Sequence, residues 1–287
     1  MLIDTHAHLD YPDFASDFDA VLQRATDAGV TRILTIGTSL GSSAFAVELA
    51  ERYDNVFAVI GVHPTQAEES SDDVITPLRE LAKSPRVAAI GETGLDYHYL
   101  PSATLERERT AEVVSNALQA ETEEEVEGQI RDGAIKSKQA SLFQQQLDLA
   151  VELKLNVVIH QRDAWDDTLA ILREYGRQVS GVFHCFGGAR EQAEEVISLG
   201  HLVSFTGIVT FKNGASVREV AAGLSLGEFM VETDCPYLAP EPHRGKRCEP
   251  AYTRLVAESI ASARGISVEE LARATTATAE EFFRFAR

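Results

Sequence analysis

The sequence contains only three cysteines, Cys185, Cys235 and Cys248, among 287 residues. Their odd number and wide spacing do not suggest a disulfide framework, and they fit reduced thiols in a cytosol. No apolar run approaches the roughly 20 residues that a membrane-spanning helix needs. Asp4 interrupts the N-terminal apolar stretch, and neither a basic segment nor a small-residue cleavage site accompanies it. The sequence therefore predicts a cytoplasmic protein without a membrane span or signal peptide.

Positive charge is also scarce. The chain has 26 Lys and Arg residues against 45 Asp and Glu residues, which gives a formal net charge of -19. Such a charge keeps a protein in solution but repels polyanions. A nucleic-acid substrate would therefore need a local positive site, such as bound metal ions, rather than the field of the whole protein.

Eight short β-branched or apolar runs recur along the chain and alternate with helix-period stretches. The runs lie near Leu2–Thr5, Arg32–Ile36, Val56–Gly61, Val87–Gly91, Val157–Ile159, Gly181–Phe183, His201–Phe205 and Glu228–Val231. Strand followed by helix, eight times, predicts an α/β fold in which a parallel sheet closes into a TIM (β/α)8 barrel, formed by a single domain over residues 1–287. A doubly wound open sheet is the second choice, but the first strand is not followed by a G-x-G-x-x-G segment.

The helix-period stretches carry apolar residues at three- and four-residue spacings. They are Phe18–Ala28, Ser42–Tyr53, Leu142–Lys154, Trp165–Tyr175 and Arg190–Leu199, and the tail from Tyr252 to Arg287 is also predicted to be helical. The fourth and fifth predicted strands are much farther apart than the others. The surplus, residues 100–139, is polar and helix-favouring, so we expect an insertion in the fourth βα loop. A solvated helical hairpin is the simplest form of it, and a role as a lid or partner surface stays open.

Metal-binding residue types concentrate at the predicted carboxyl ends of the strands, where barrel enzymes place catalytic groups. His6 and His8 are two residues apart, so both point to the same face of the first strand. Five of the eight histidines in the chain occupy such strand ends. The six side chains that we predict to be metal ligands are those of His6, His8, Glu92, His160, His184 and Asp234.

Four imidazoles and two carboxylates suffice for two divalent ions, which we expect to be Mg²⁺, Mn²⁺ or Zn²⁺. Paired ions of this kind lie about 3.5–4 Å apart. Glu92 suits the position between them because its two oxygens can reach two metals. Asp234 could ligate one metal and accept the proton of the attacking water, so Glu92 and Asp234 are the predicted catalytic residues.

Three further residues are candidates for substrate binding. His63, in G-V-H-P, is on the same face of the barrel and fits a substrate contact or support of the metal site as well as it fits ligation. Arg162 could face the same cavity and bind an anionic group, although a surface ion pair fits it nearly as well. Arg244 belongs to a basic rim that, alone, would usually be a solvated loop. The rim comprises Lys212, Arg244, Lys246 and Arg247.

Several residues near these positions receive other interpretations. Asp96 either orients a ligand or caps a turn. Cys185 and Cys235 adjoin predicted ligands, and we interpret both as packing thiols. Nothing in the sequence complements the remaining histidines as metal ligands. These are His98, His201 and His243.

The same segments resemble those of the TatD-type metal-dependent deoxyribonucleases, a family of amidohydrolase-like barrels. The matching segments are D-T-H-A-H-L-D at 4–10, G-V-H-P at 61–64, G-E-T-G-L-D-Y at 91–97, V-I-H-Q-R-D-A at 158–164, H-C-F-G-G at 184–188, G-I-V-T-F-K-N at 207–213, E-T-D-C-P-Y-L-A-P at 232–240 and P-H-R-G-K-R at 242–247. They span nearly the whole chain in the family's order. The resemblance implies a barrel, a cytoplasmic location, metal roles for the six residues above, and phosphodiester hydrolysis, often from the 3′ end of single-stranded DNA. The segment around 100–139 is longer than the family's usual link.

The expected function is therefore that of a metal-dependent DNase with single-stranded DNA as its partner. The same metal site could instead act on a carbonyl, as in deacylation of a D-aminoacyl-tRNA or hydrolysis of an amide, because polarising C=O and P=O requires similar chemistry. A scaffold that has lost catalysis and binds partners through the insertion is a third possibility, and the intact ligand set argues against it.

Overall fold

A computed structural model describes residues 1–112 and 123–285 of the chain. Eight parallel strands pair in chain order, β1 to β8. The strands are β1 (Leu2–Ala7), β2 (Val30–Ile36), β3 (Val56–Ile60), β4 (Val87–Asp96), β5 (Asn156–Arg162), β6 (Gly181–Phe183), β7 (Leu202–Phe205) and β8 (Phe229–Val231). The chain just beyond β8 meets β1 through the bridge between Ala7 and Cys235, and the Asp234 amide donates to the His6 carbonyl over 2.9 Å. The predicted TIM barrel is thus confirmed.

Helices lie between the strands and after the last one. They are α1 (Phe18–Asp27), α2 (Leu40–Arg52), α3 (Ile75–Leu81), α4 (Pro101–Glu112), α5 (Glu123–Leu153), α6 (Trp165–Tyr175), α7 (Arg190–Ser198), α8 (Ala215–Gly223), α9 (Thr253–Arg264) and α10 (Val268–Phe283). Side-chain caps set several starts, since Ser39 accepts from the Ser42 amide before α2 and Ser267 accepts from the Glu270 amide before α10. None of the helices in the described ranges combines the length and apolar character that crossing a membrane requires.

Two strands, β4 and β5, extend farthest beyond the runs that the sequence predicts. The predicted runs end near Gly91 and Ile159. Instead, the strands continue side by side, with Asp96 opposite Arg162. Gly94 makes this pairing possible, since its φ is +146° and an added Cβ would collide with the carbonyl oxygen of His160. The polar residues of both segments thereby stand inside strands rather than on loops.

The structure describes part of the predicted insertion at 100–139, and residues 113–122 of it lie outside the described residues. Its first part is α4, and its second part is the N-terminal portion of α5, the helix that leads into β5. The two helices run side by side, and Asp132 accepts hydrogen bonds from the amide and the hydroxyl of Ser102. The acidic run at 123–125 opens α5. In the described residues, the insertion therefore comprises α4 and the first part of α5, the helix that continues to β5.

Two glutamines of α5 bind this helix to the barrel. Gln139 accepts from the Asp96 amide and donates to the Asp96 carbonyl, each over 2.9 Å. Gln146 accepts from the Val62 amide over 2.8 Å and donates to the Val62 carbonyl over 3.0 Å and to Thr93 Oγ1 over 2.7 Å. Both side chains are buried. They satisfy backbone groups at the ends of β3 and β4, beside the residues that form the site.

Replacing Gln146 tests the importance of this contact. We expect Gln146→Leu to lower the free energy of unfolding by about 2–4 kcal/mol, because it leaves the buried amide, carbonyl and hydroxyl partners unpaired. Urea denaturation followed by circular dichroism measures the change. Gln145→Leu is the matched control, since Gln145 is exposed and bonds only to the Ser141 hydroxyl among the partners described for it. Equal stability of the two variants would contradict this role of Gln146.

Candidate metal centre

The six predicted metal ligands converge at the carboxyl ends of the barrel strands. His6 lies in β1 and His8 directly after it, on the same face, as the alternation of side chains predicts. The others come from β4, β5, the end of β6 and the end of β8. These four are Glu92, His160, His184 and Asp234. Parallel strands of a barrel end at one rim, which is why residues so far apart in sequence share one cluster.

Four of the donor atoms form a first group. The Nε2 atoms of His6 and His8 are 3.3 Å apart. Asp234 Oδ1 lies 3.7 Å from the first and 3.4 Å from the second. Glu92 Oε2 lies 3.5 Å and 3.9 Å from the same two nitrogens. All four side chains therefore aim a donor atom at the same small volume.

A second group forms around the other oxygen of the same carboxylate. Glu92 Oε1 lies 2.8 Å from His160 Nδ1 and 2.7 Å from His184 Nε2, and these two nitrogens are 3.2 Å apart. His63 Nε2 is 3.5 Å from the same oxygen. His63, for which the sequence left a substrate contact and ligation equally open, is thus close enough to complete this group. Glu92 presents one oxygen to each group.

The donor set fits divalent cations. Nitrogen and oxygen ligands about 2.0–2.2 Å from one ion stand about 3–3.5 Å from each other, which is close to the separations within both groups. In the described ranges, three combinations of His, Asp and Glu side chains, one of which adds Glu232, have their ligand atoms within 4.8 Å of one another. The combinations are His6–His8–Asp234, His63–Glu92–His160 and His6–His184–Glu232. The residues that would hold a first ion are thus on β1 and after β8, and those for a second are on β4 to β6.

Burial and mutual charge set the protonation of these groups. Burial alone would raise the pKa of Glu92, but the surrounding His184, His63 and His6 hold it well below the ordinary value. Burial would likewise raise the pKa of Asp234, and its hydrogen bond to His8 with the nearby imidazoles lowers it instead. Both carboxylates are therefore ionised and attract cations.

The pKa values of two imidazoles in the cluster shift in opposite directions. Burial lowers the pKa of His6 to about 4. Burial would also lower the pKa of His160, yet hydrogen bonds to Asp96 and Glu92 raise it to about 9. Since imidazole ligates a metal only in its neutral form, an ion at this position would replace a proton on His160.

Two further carboxylates hold the ligands in place. Asp96 Oδ2 lies 3.0 Å from His160 Nε2, while Asp96 Oδ1 accepts from the His98 amide over 2.9 Å. Asp96 therefore does both things that the sequence left open: it orients an imidazole and caps a turn. Glu232 is the residue that sequence reasoning missed. It accepts from the Cys185 amide over 2.7 Å and approaches His184 Nδ1 at 3.9 Å.

The position of Glu232 in E-T-D was the available signal, because residues two apart at a strand end point the same way. Asp4 supports the other side of the cluster, where it accepts from the Thr233 amide over 2.9 Å and from the Thr233 hydroxyl over 2.6 Å. Burial raises the pKa of Asp4 and of Glu232 to about 7 each. His184 Nδ1, 3.9 Å from Glu232, has no hydrogen-bond partner among the described residues, so Glu232 and Asp4 support the backbone around the predicted ligands rather than their rings.

A cleft of about 1280 Å³ opens over the cluster. Arg162 lines this cleft, as we predicted, and is exposed. Arg244, the third predicted substrate contact, lies 3.7 Å above the ring of Phe211, and neither residue is among those that line the cleft in the described ranges. Arg247, predicted as part of the same rim, forms an ion pair with Asp17 over 2.8 Å and is not a free cation.

The unassigned histidines lie outside the two donor groups. His98 Nδ1 is 2.9 Å from Asp163 Oδ2, and His201 Nδ1 accepts from the Gly181 amide over 3.0 Å. His243 stacks on Tyr252 with 4.3 Å between ring centroids. Each of the three thus has a structural partner. Cys235 is buried beside Ala7 in the core, in line with its predicted packing role.

Removing two donors of the first group should remove its ion. We expect the double variant His6→Asn/His8→Asn to bind about one divalent ion fewer per chain than the wild type, because only Glu92 and Asp234 then remain of that group. Equilibrium dialysis against Mn²⁺ or Zn²⁺ with elemental analysis measures the stoichiometry. His243→Asn, which alters an imidazole outside both groups, is the control. An unchanged ion count in the double variant would refute the assignment of this group.

The chain is similar over almost its full length to named metal-dependent hydrolases. It is 37% identical to the uncharacterized metal-dependent hydrolase YabD of Bacillus subtilis, with 99% of each chain covered. It is 33% identical to the 3′-5′ ssDNA/RNA exonuclease TatD of Erwinia billingiae, again with 99% of each covered. The crystal structure of YJJV, a TatD homologue from Escherichia coli, superimposes with a TM-score of 0.82 at 28% identity, covering 99% of this chain and 98% of the other.

A family profile gives the same result from sequence alone. The profile described as TatD related DNase matches residues 3–284, which include all six predicted ligands. Together with the barrel and the relatives above, this match identifies the chain as a member of the TatD related DNase family of metal-dependent hydrolases.

Proposed function

We propose that the protein hydrolyses phosphodiester bonds of single-stranded DNA, removing nucleotides from the 3′ end, with two divalent ions held by the cluster. The observation that carries the proposal is the carboxylate of Glu92, whose two oxygens face two separate groups of nitrogen and oxygen donors. Paired ions about 3.5–4 Å apart are the arrangement that phosphatases and nucleases use. The name of the Erwinia relative, an exonuclease of single-stranded DNA and RNA, supports the choice of substrate.

The ions, when bound, would neutralise charge on the phosphoryl oxygens and lower the pKa of a water molecule. His6, His8 and Asp234 would hold one ion, and His160 and His184 the other, with Glu92 shared. The further role of Asp234 is to accept the proton of the attacking water, since it is ionised and lines the cleft. We expect Arg162, which lines the cleft at the carboxyl end of β5, to bind a phosphate group of the substrate.

A carbonyl substrate, such as a D-aminoacyl-tRNA or an amide, is the second candidate. The lining of the cleft favours it in one respect, because six Asp and Glu residues but only one Lys or Arg line the cleft in the described ranges. An uncharged amide would meet less repulsion there, whereas a D-aminoacyl-tRNA is a polyanion and would be repelled as DNA is. The two candidates differ in the bond that is cleaved, so a direct assay separates them.

The discriminating assay offers both substrates to one metal-loaded preparation. We expect 5′-labelled single-stranded DNA to shorten from its 3′ end, and a D-aminoacyl-tRNA to keep its ester. We also expect Asp234→Asn to lower turnover by about 10²–10⁴, since it removes the proton acceptor. Bound metal is quantified in parallel, and the comparison is made at equal metal content.

One outcome would overturn this proposal, and a second would overturn the role given to Asp234. Deacylation without cleavage of DNA would select the carbonyl candidate. Full turnover by an Asp234→Asn protein that retains its metal would place the proton acceptor elsewhere. His243→Asn, already the control for metal binding, should cleave at the wild-type rate.

The scarcity of cations in the cleft predicts a weak salt dependence. Each neutralised phosphate contributes about -0.7 to the slope of log K against log salt for single strands. Because Arg162 is the cation that lines the cleft, we expect the slope to correspond to only a few neutralised phosphates. We expect the slope for Arg162→Ala to be about 0.7 smaller in magnitude. Fluorescence anisotropy of a labelled oligonucleotide at several salt concentrations measures both.

Two further variants complete this titration. Arg244→Ala tests the other sequence-predicted contact, and Arg254→Ala, an exposed residue paired with Glu258 on α9, is the control. A steep slope in the wild type, corresponding to more than about six phosphates, would mean that another basic track binds the strand.

A further inference from the structure

Two tyrosines with exposed rings line the mouth of the cleft. Tyr99 is 60% exposed and Tyr237 is 50% exposed, and both belong to the lining. Exposed large rings at a cleft mouth are more informative than buried ones, because burial is the ordinary way to stabilise an aromatic side chain. These two rings are therefore available to a ligand.

Each ring is supported by a neighbour rather than left to rotate freely. The Arg162 guanidinium lies 5.3 Å from the centroid of the Tyr99 ring, and its Nη1 donates to the Tyr99 hydroxyl over 3.3 Å. Tyr237 meets Tyr11 edge to face with 5.6 Å between centroids, and Tyr11 in turn lies 5.5 Å from the ring of His8. Both platforms are thus held in position before a ligand arrives, which lowers the entropy lost on binding.

The two platforms stand on opposite walls of the barrel mouth. Tyr99 follows β4, next to β5, whereas Tyr237 follows β8, next to β1. In a ring of eight strands ordered by sequence, these two pairs of strands face each other. The donor groups draw on both walls, with Glu92 in β4 on one side and Asp234 after β8 on the other, and both residues line the cleft. A chain that crosses the cleft from one wall to the other therefore passes over the metal cluster.

Charge cannot supply the binding energy for such a chain. The cleft carries six carboxylates and, among the Lys and Arg residues of the described ranges, Arg162 alone. A polyanion must be held at the cluster by the ions and elsewhere by uncharged contacts. Stacking of a base on an aromatic ring is the uncharged contact that single-stranded nucleic acids offer, and it tolerates any base sequence.

We propose that Tyr99 and Tyr237 are stacking platforms for two unpaired nucleobases, one on each side of the phosphate that lies at the metal cluster. This inference rests on the function proposed above. It also gives a reason for preferring single strands, because a base inside a duplex has both faces covered by its neighbours and is paired at its edge. A single strand can present a free face to each wall.

The experiment reports stacking separately from cleavage. A single-stranded oligonucleotide carries the fluorescent base 2-aminopurine near its 3′ end and phosphorothioate linkages that slow hydrolysis. We expect the wild-type protein, loaded with Mn²⁺ or Zn²⁺, to change the emission of the base on binding. We expect Tyr99→Leu and Tyr237→Leu each to weaken binding about five- to a hundredfold and to lose part of that change in emission.

Conservative variants and a control separate stacking from a structural role. Tyr99→Phe and Tyr237→Phe keep the ring, so they should restore the emission change. Phe45→Leu is the matched control, because Phe45 is an exposed aromatic residue of α2, 43% accessible, outside the cleft lining. The thermal midpoint is measured for every variant and should be unchanged at these exposed positions.

The outcomes distinguish this inference from the function on which it rests. Cleavage of unmodified DNA by the wild type, with binding and emission unaltered in both leucine variants, would overturn the stacking platforms and leave the nuclease proposal standing. Absence of cleavage by the metal-loaded wild type, together with ring-dependent quenching, would overturn the nuclease proposal and support a platform for unpaired bases. Loss of binding in the phenylalanine variants as well would assign the effect to the hydroxyl groups and refute stacking.

Discussion

The buried carboxylate of Glu92 is the interaction on which the rest of the site depends. A buried anion is costly unless charge and hydrogen bonds compensate it. Here His160 and His184 approach one oxygen, and His6 and His8 approach the other. The strands must therefore close into a ring that brings β1, β4, β5 and the end of β6 to one rim. The fold and the site impose the same geometry on the chain.

Much of this arrangement is predictable from local sequence. Two-residue alternation places His6 and His8 on one face, and strand ends in a barrel converge, so the ligand set follows once the eight strands are recognised. The end of β4, by contrast, could not be predicted from local sequence. The predicted fourth run ends near Gly91, yet β4 continues to Asp96 because β5 supplies partners as far as Arg162. Pairing across such a separation in sequence leaves no local trace.

The contacts that support the site from outside the cluster could not be predicted from local sequence. Glu232 acts through the Cys185 amide and Gln139 through the backbone of Asp96, and both are contacts between elements that only the folded barrel brings together. At the basic motif 244–247, the sequence suggests more free positive charge than the structure has. Arg247 is neutralised by Asp17, so a run of basic letters overstates the positive surface that a ligand would meet.

The anchoring of α5 has a consequence for how this fold can vary in length. Gln139 and Gln146 are seven residues apart, two helical turns, and both bind the barrel from the C-terminal half of the helix. The position of α5 along its axis is therefore fixed by its C-terminal half, which contacts β4. Turns added or removed before Asp132 change how far the helix projects beyond the rim, and they leave the register of Gln139 and Gln146 unaltered. Chain length between β4 and β5 is thus free to diverge while the side chains that surround Glu92 keep their positions.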